Sequence, residues 1–256
     1  MRLSVVTVCL NAEKHIAHQL KTVSDQSWYD VEHIVIDGGS TDDTIAIVQA
    51  AADSKPSLRW ISGIDNGIGD AMNKGLALAT GEIIAFLHAD DFYADNEVLA
   101  RVTEFFTLQP QAEWLTGGIK HVDDSGRILK SFPARRWSYQ RLLRGNILFH
   151  PATFVRKRVL ESVGGFDASL NFTMDYDLWL RLGKRTAPYK FNQPLACFRI
   201  HPESTSVKNV DAAFKEEFKV RCRYLHGKPI QKALHQLYFY LKFFPNRLSI
   251  KHSDVR

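Results

Sequence analysis

The segment GEIIAFLHADDFY, Gly81–Tyr93, passes from an apolar run directly into two adjacent aspartates. Its Ile83–Leu87 portion is rich in β-branched and aromatic residues, which is typical of a buried strand. Neighbouring carboxylates repel each other, and a strand needs no carboxylate in order to end. Asp90 and Asp91 therefore indicate a site at the carboxyl end of this strand that requires negative charge.

Strand-like and helix-like patterns alternate along the chain before this segment. Such alternation with short connections favours a mostly parallel, twisted sheet covered by helices on both faces, an α/β fold. The predicted order is strand 3–10, helix 14–25, strand 32–36, helix 44–52, strand 58–61, helix 71–79 and strand 82–87.

The pattern is mixed after Tyr93. The turn signal Asp123–Gly126 lies between two strand-like segments and predicts a hairpin. The remaining predicted elements are helix 95–107, strands 113–122 and 128–132, helices 158–162 and 175–183, and strand 190–201.

Polar side chains follow each of the first four predicted strands. Asn11, Asp37 and Asp65 follow the first three, and the Asp90–Asp91 pair follows the fourth. The carboxyl ends of parallel strands meet at one edge of a sheet, where ligands of such sheets bind. Convergence of these groups on one rim would form a binding site.

A rim of carboxylates suits a nucleoside diphosphate only if a divalent cation separates the like charges. Mg²⁺ and Mn²⁺ prefer oxygen ligands and bridge carboxylates to phosphates. One aspartate of the pair could then bind the ion while its neighbour receives a ribose hydroxyl. Alternatively, Asp91 only begins a turn before the next helix.

The glycines Gly38 and Gly39 predict a tight turn that lets Asp37 face a base or a ribose. The spacings of the dinucleotide-binding and P-loop motifs are both absent from the sequence. This absence argues against a dehydrogenase and against a kinase.

Other candidates each have two interpretations. Asp175 lies at a helix start, where a carboxylate favours the helix dipole in any protein, and it could also serve as a general base. His201 could be structural or a further metal ligand. Arg181 and Arg199 could bind a diphosphate or form structural ion pairs.

Bulk composition fits an ordinary folded protein. The 256 residues are 45% hydrophobic and 24% charged, and no run of 18 apolar residues occurs. The three cysteines are scattered, so we expect reduced thiols and a cytoplasmic location.

The net charge of +5 is concentrated in the tail. Residues 208–256 hold 11 Lys/Arg and 4 Asp/Glu, a net +7, which leaves −2 for the rest. These charges lie beside the aromatic run Leu237–Phe244. Such a tail could contact an anionic membrane surface or a nucleic acid, or it could be a closing helix whose lysines are solvated.

Several segments together, over roughly residues 3–205, resemble a family 2 glycosyltransferase of the inverting GT-A type, of the kind found in bacterial polysaccharide biosynthesis. Their joint order and spacing carry the resemblance more than any one of them. They are SVVTVCLNAEKHI, EHIVIDGGSTDDT, DNGIGDAMNKGLALATGEIIAFLHADD, GGFDASL and MDYDLWLRL.

The resemblance implies a role for each candidate residue. The nucleotide sugar would contact the backbone near Val8 and Leu10 together with Asn11, Asp37, Asp65 and Asp90. Asp91, with Asp90 and His201, would hold Mn²⁺ or Mg²⁺, and Asp175 would deprotonate the acceptor hydroxyl. Two positions depart from the family pattern, His88 within Leu87–Asp91 (commonly L-N-S-D-D) and Gly69, and they leave the shape of the donor-sugar pocket open.

The implied function is metal-dependent, inverting transfer of a sugar from a nucleoside-diphosphate sugar. The expected donor is a UDP-sugar, and the expected acceptor is a hydroxyl of a glycan or lipid-linked oligosaccharide in cell-surface polysaccharide biosynthesis. We expect no nucleic acid partner and a cytoplasmic enzyme with peripheral membrane contact through its tail. Two alternatives are a nucleotidyltransferase that makes nucleotide sugars and a non-catalytic binding module for nucleotides or nucleic acids. The expected division is a catalytic domain 1–207, with a nucleotide-binding half 1–110 and an acceptor half 111–207, and a helical C-terminal extension 208–256.

Overall fold

A computed structural model describes residues 1–202, 204, 208–227, 229–237 and 239–241. The predicted alternation of strands and helices is present in it. The strands are β1 (Leu3–Cys9), β2 (Val31–Asp37), β3 (Leu58–Ser62), β4 (Ile83–Phe86), β5 (Phe92–Tyr93), β6 (Trp114–Val122), β7 (Ile128–Phe132), β8 (Thr153–Arg156) and β9 (Tyr189–Arg199). The helices are α1 (Ile16–Ser24), α2 (Thr44–Ser54), α3 (Ile68–Leu78), α4 (Val98–Leu108), α5 (Tyr139–Arg144), α6 (Lys157–Ser162), α7 (Met174–Gly183) and α8 (Val210–Arg223).

All of these strands join one sheet in the order β3-β2-β1-β4-β8-β6-β9-β5, with β7 paired to β6. The first four strands in this order are parallel, as the alternating pattern predicts. From β8 onward the sheet is mixed, because β8 runs antiparallel to β4 and β6 while β6 and β9 are parallel. The parallel part of the sheet is therefore formed by β1 to β4, within residues 3–86.

Both faces of the parallel part are covered by helices. On β1, Val6 and Val8 face the core cluster that contains α3 residues, whereas Leu3 and Val5 face the cluster that contains α4 residues. This split follows the two-residue period of a strand. Each buried aliphatic side chain contributes about 1.5–3 kcal/mol to folding, so the strand ends above this core are firmly held.

Strand β5 was not expected from the sequence, which predicts only a turn after Asp91. Phe92 pairs with Cys197 and Tyr93 with Ala196, both on β9. A two-residue strand leaves no periodic signal, and its partner lies about a hundred residues later in the sequence. The pairing matters because it fixes Asp91 beside the end of β9.

The C-terminal end of helix α8 makes polar contacts with α7 and with the loop before it. The hydroxyl of Tyr224 lies 3.0 Å from Oδ1 of Asp177, and Arg223 lies 2.7 Å from Asp167. Residues 229–237 and 239–241 are also helical. Lys228, Tyr238 and 242–256 lie outside the described residues, so the predicted aromatic run is described only in part. Within the described ranges, no helix is long and apolar enough to cross a bilayer.

Candidate active site

The parallel register brings the first three polar strand exits to one edge of the sheet. Cys9 at the end of β1 pairs with Asp37, and Asp37 pairs with Ser62 at the end of β3. Asn11 follows β1 and Asp65 follows β3 within a few residues. The structure therefore places these predicted nucleotide residues side by side.

The carboxylate of Asp37 is buried and accepts several hydrogen bonds. Its Oδ2 accepts from the backbone N–H groups of Gly39 and Ser40 at 3.0 Å and from the Ser62 hydroxyl at 2.7 Å, and its Oδ1 accepts from the Ser40 hydroxyl. Burial opposes ionisation, but these donors outweigh it and lower the pKa of Asp37 below its ordinary value. Asp37 is thus a fixed negative charge at the rim.

Asn11 joins the loops after β1 and β2. Its φ of 49° lies in the left-handed region, which asparagine tolerates better than most residues. Its Oδ1 accepts from the N–H of Thr41 at 2.9 Å, and its own N–H donates to the Ser40 hydroxyl at 2.8 Å. The side chain of Val8 is only 8% exposed whereas that of Leu10 is 60% exposed. Any contact of a ligand with Val8 would therefore use its backbone.

Asp65 lies directly against the backbone after β2. Its Oδ1 accepts from the N–H of Gly67 at 2.9 Å. A Cβ atom on Gly38 would lie 2.8 Å from the Asp65 Oδ2 atom, closer than carbon and oxygen can approach. A side chain at position 38 would displace this carboxylate, so the glycine allows Asp65 to lie against the backbone after β2.

Asp90 and His201 meet at the fourth strand exit. The His201 Nε2 atom lies 3.1 Å from Oδ2 of Asp90, whose side chain is 30% exposed. The ring of His15, from the loop after β1, is 5.0 Å from the His201 ring. Two of the three predicted metal ligands are therefore in direct contact.

Asp91 points in a different direction and is buried. Its Oδ1 accepts from the backbone N–H of Arg199 at 3.2 Å. Burial, and then the neighbouring charge of Asp90, raise the pKa of Asp91 well above its ordinary value. A carboxyl group in such surroundings favours either a proton or a nearby cation.

Arg181 and Arg199, for which the sequence allowed either diphosphate binding or structural ion pairs, both have structural contacts. The Arg199 guanidinium is buried and donates to the backbone carbonyls of Asp90, Asp123 and Asp124. Arg181 pairs with Asp177 at 2.8 Å. Both side chains are engaged within the fold.

The carboxylate oxygens of Asp90 and Asp91 suit a hard divalent cation whose remaining coordination positions are filled by water or a bound ligand. Among the described residues, no group of three or more His, Cys, Asp or Glu side chains is arranged as a complete metal cage. Mg²⁺ and Mn²⁺ sites that serve phosphates commonly use only one or two carboxylates and leave the other positions to water and substrate. Asp90 and the buried, destabilised carboxyl of Asp91 provide that minimal set, with His201 beside them.

Asp175 begins α7 and faces the same cleft as the aspartate pair. Its Oδ2 accepts from the Asn146 amide at 2.9 Å, and its Oδ1 accepts from the Tyr176 N–H at 2.6 Å. Burial outweighs these bonds and raises the pKa of Asp175 to about 6. A carboxylate with this pKa is ionised at neutral pH yet basic enough to accept a proton.

Glu216 on α8 supports the chain that leads into Asp175. Its carboxylate accepts hydrogen bonds from the N–H groups of Asn171, Phe172 and Thr173 at 2.8–3.0 Å. These amides precede the first turn of α7 and have no partner within the helix. The C-terminal extension therefore helps to hold the loop on which Asp175 depends.

One cleft of about 390 Å³ contains both the aspartate pair and Asp175. The predicted nucleotide residues Asp37 and Asp65 are outside its lining, as is His201. The cleft thus brings together two of the three predicted metal ligands, Asp90 and Asp91, with the predicted base. The other polar residues of its wall are His88, His121, His150, Asn171 and Ser204.

Sequence reasoning missed Asn146, Glu216 and His150. Asn146 and Glu216 act over sequence separations of 29 and 43–45 residues, which local patterns do not report. The His150–Pro151 dipeptide before β8 was the one visible signal. The His150 ring lies 5.1 Å from that of His88, and burial lowers its pKa well below the ordinary value.

Comparisons with known proteins identify the family and the fold of the chain. The family model described as glycosyl transferase family 2 matches residues 4–162. Chondroitin synthase of Escherichia coli is 29% identical over 221 residues, 85% of this chain, but the match spans only 32% of that protein. An uncharacterised glycosyltransferase of Mycobacterium tuberculosis is 31% identical over 183 residues, which cover 70% of this chain and 68% of the relative.

Solved structures with the same fold include TarS and a mannosyltransferase. TarS of S. aureus in complex with UDP-GlcNAc has a TM-score of 0.71 and 19% identity over 93% of this chain and 70% of its own. The mannosyltransferase of Pyrobaculum calidifontis in complex with GDP-Man and Mn²⁺ has a TM-score of 0.68 and 20% identity over 94% of this chain and 69% of its own. These structures confirm the predicted GT-A-like α/β fold, and the family match confirms the predicted family. The chain belongs to glycosyl transferase family 2.

Proposed function

We propose that the protein is a metal-dependent, inverting glycosyltransferase that uses a nucleoside-diphosphate sugar, with a UDP-sugar as the expected donor. The observation that carries this proposal is the cleft shared by the Asp90–Asp91 pair and Asp175. The Asp90–Asp91 pair would hold the cation that binds the departing diphosphate. Asp175 has the raised pKa expected of a general base. An inverting displacement requires these two functions at opposite ends of one space.

The donor nucleotide would lie along the rim formed by β1, β2 and β3. Asp37 is held ionised by its hydrogen bonds and would accept from the base or the ribose. Asp65 and the backbone near Val8 and Leu10 border the same place, with Asn11 keeping the two loops together. Structural relatives were solved with UDP-GlcNAc and with GDP-Man, which supports a nucleotide-sugar donor of this class.

Asp91 and Asp90, with His201, would hold a divalent cation, Mn²⁺ or Mg²⁺. When bound, such an ion neutralises negative charge on a diphosphate leaving group. The chain's own residues prepare for it, because the buried carboxyl of Asp91 is destabilised without a nearby cation. A structural relative was solved with Mn²⁺, in keeping with this role.

Asp175 would take the proton from the acceptor hydroxyl as its oxygen attacks the anomeric carbon. The Asn146 amide fixes the orientation of the carboxylate. The new bond to the acceptor oxygen forms as the bond to the diphosphate oxygen breaks, so the configuration at the anomeric carbon inverts. The proton ends on Asp175 and no covalent enzyme intermediate is needed.

The acceptor would be a hydroxyl of a glycan or lipid-linked oligosaccharide in bacterial cell-surface polysaccharide biosynthesis. Relatives named chondroitin synthase and "PGL/p-HBAD biosynthesis glycosyltransferase" support an acceptor of this class. We infer a cytoplasmic protein with a catalytic domain 1–207, divided at 110, and an extension 208–256 that touches the membrane surface. The extension carries a net +7, and its side chains Ile230, Leu234 and Leu237 are 77%, 60% and 57% exposed.

A donor screen tests the function. We would measure UDP or GDP release from UDP-GlcNAc, UDP-GalNAc, UDP-Glc, UDP-GlcA and GDP-Man, with Mn²⁺ or with EDTA, and with lipid-linked glycan acceptors. The proposal predicts metal-dependent release from one donor, accelerated by an acceptor. Failure of the protein to bind or consume any nucleotide sugar would contradict it.

Flotation with anionic liposomes tests the membrane contact. The double variant Leu234→Glu/Leu237→Glu should float less than the unmodified protein, because two charges replace apolar contacts. Tyr29→Glu, at an exposed aromatic far along the chain from the extension, is the matched control and should float normally. Equal flotation of all three proteins would reject a role for this helix face.

A further inference from the structure

His88 and His150 form an imidazole pair in the cleft that the proposed chemistry does not use. Their rings are 5.1 Å apart, and both line the space that also contains Asp90 and Asp175. His88 stands two residues before Asp90, and His150 lies in the short turn before β8. The pair therefore lies within the cleft wall shared by the metal and base residues.

The nitrogens of His150 need partners that the fold does not supply. Both Nδ1 and Nε2 are buried, and neither has a hydrogen-bond partner among the described residues. Buried polar atoms in folded proteins are nearly always paired, and exceptions point to a missing ligand or water. The ring itself is held by aromatic neighbours, because Phe86, Phe166 and Trp179 lie 5.8–6.2 Å from it.

The geometry of inversion decides which ligand group would occupy this space. In a single displacement, the base and the leaving group act on opposite faces of the transferred carbon. The transferred sugar must therefore lie between Asp175 and the Asp90–Asp91 pair. His88 and His150 belong to the wall of that same space.

We propose that His88 and His150 are specificity-determining residues that bind hydroxyl groups of the transferred sugar. This inference rests on the proposed glycosyl transfer. An imidazole ring offers a donor and an acceptor nitrogen, which is the pairing that a sugar hydroxyl requires. Sites that hydrogen-bond a hydroxyl discriminate strongly against ligands that lack it or place it differently.

Calorimetric titration separates the sugar from the nucleotide. The Kd of UDP and of the tightest-binding sugar nucleotide from the donor screen would be measured with Mn²⁺ for the unmodified protein and for His150→Phe. Phenylalanine keeps the ring packing and removes both nitrogens. We expect the Kd of the sugar nucleotide to rise about tenfold, the effect of one lost hydrogen bond, while the Kd of UDP stays within twofold.

Three further variants sharpen the test. His150→Gln restores a donor and an acceptor and should recover part of the affinity. His88→Phe should show the same selective loss and replaces His150→Phe if that variant does not fold. His226→Phe is the control, since His226 is exposed and lies outside the lining of the cleft.

The outcomes are distinguishable. An unchanged Kd for the sugar nucleotide, or an equal loss for UDP, overturns the inference while glycosyl transfer itself continues. An equal effect of His226→Phe overturns it as well. If the unmodified protein binds none of the nucleotides tested, both the proposed function and this inference are overturned.

Discussion

Asp37 and Asp175 are both buried or half-buried carboxylates near a sheet edge, yet their surroundings act in opposite directions. Asp37 accepts hydrogen bonds from Gly39, Ser40 and Ser62, and its pKa is lowered. Asp175 accepts from Asn146 and Tyr176, and burial raises its pKa to about 6. The difference teaches that the rim after β2 holds a permanent charge at Asp37, whereas the cleft holds at Asp175 a carboxylate that can exchange a proton.

The same contrast extends to the residues around them. Around Asp37, the loops after β1 and β2 are joined by bonds between Asn11 and residues 40–41, so that the rim is formed before any ligand binds. In the cleft that contains Asp175, buried groups such as Asp91 and His150 are left in unfavourable surroundings. Substitutions in the first region should therefore change stability, and those in the second should change turnover.

Apart from the loss of the proposed base, Asp175, the largest effect is expected at Asp91. Asp91→Asn keeps an acceptor for the Arg199 N–H but removes the charge offered to a cation. We expect kcat/KM to fall roughly a hundredfold or more, since a bound cation supplies several kcal/mol of charge stabilisation. Asp95→Asn, at an exposed aspartate four residues later that pairs with Arg101, is the control and should retain activity. Full activity of Asp91→Asn in excess EDTA would remove the metal from the mechanism.

Asp37 should respond through stability. Asp37→Asn removes charge-assisted hydrogen bonds and should lower the free energy of unfolding by about 2 kcal/mol at pH 7. Because the folded pKa of Asp37 is depressed, its contribution is present above the unfolded pKa of about 3.9 and is lost as the pH falls through the folded value. The difference between the two proteins in urea unfolding should therefore shrink in acid.

Asp53 on α2 provides the comparison for that measurement. It is exposed, so Asp53→Asn should change the free energy of unfolding by no more than about 0.5 kcal/mol. If Asp53→Asn and Asp37→Asn destabilise equally at pH 7, the hydrogen bonds around Asp37 do not have the importance assigned to them.

The pH profile should report Asp175. Activity requires the ionised carboxylate, so kcat/KM should fall tenfold for each pH unit below about 6. Asn146→Ala removes a hydrogen bond that lowers this pKa and should move the acidic limb to higher pH. A profile whose acidic limb stays in place in Asn146→Ala would show that another group controls it.

A smaller effect is expected at Glu216. Glu216→Ala removes the carboxylate that accepts hydrogen bonds from the N–H groups of residues 171–173. We expect kcat to fall about fivefold to tenfold, which corresponds to the loss of about 1 kcal/mol that is typical of a removed cap. The Kd of the donor should change little. Lys219→Ala, at an exposed position on the same helix, should behave as the unmodified protein. A loss of donor binding in Glu216→Ala equal to the loss in kcat would mean that the extension supports the whole fold rather than Asp175.

The sequence was most informative where local patterns determine the structure. Short apolar, β-branched runs located the first four strands, and the polar residues that follow them lie at one rim because parallel strands end on the same side. The strand pairing from β8 onward was harder to predict, because the antiparallel and parallel partners there come from distant parts of the chain.

The environment of each site residue was not predictable in the same way. Adjacent in sequence, Asp90 and Asp91 differ because β5 pairs with β9 and turns Asp91 toward the Arg199 backbone. Glu216 reaches Asn171 across 45 residues. Such contacts depend on tertiary packing, which local sequence patterns do not report. Residue type therefore indicated the candidate residues, but only the structure distinguishes the fixed charge of Asp37 from the proton acceptor Asp175.

The role of Asp175 is tested most directly by Asp175→Asn, which preserves the size of the side chain and removes its ability to accept a proton. Acceptor-dependent release of the nucleoside diphosphate and the Kd of UDP would be measured on the same preparation. Turnover should fall about a thousandfold, within the usual range for loss of a general base, while the Kd of UDP stays within twofold. Near-normal turnover in Asp175→Asn would contradict the assignment of Asp175 as the base.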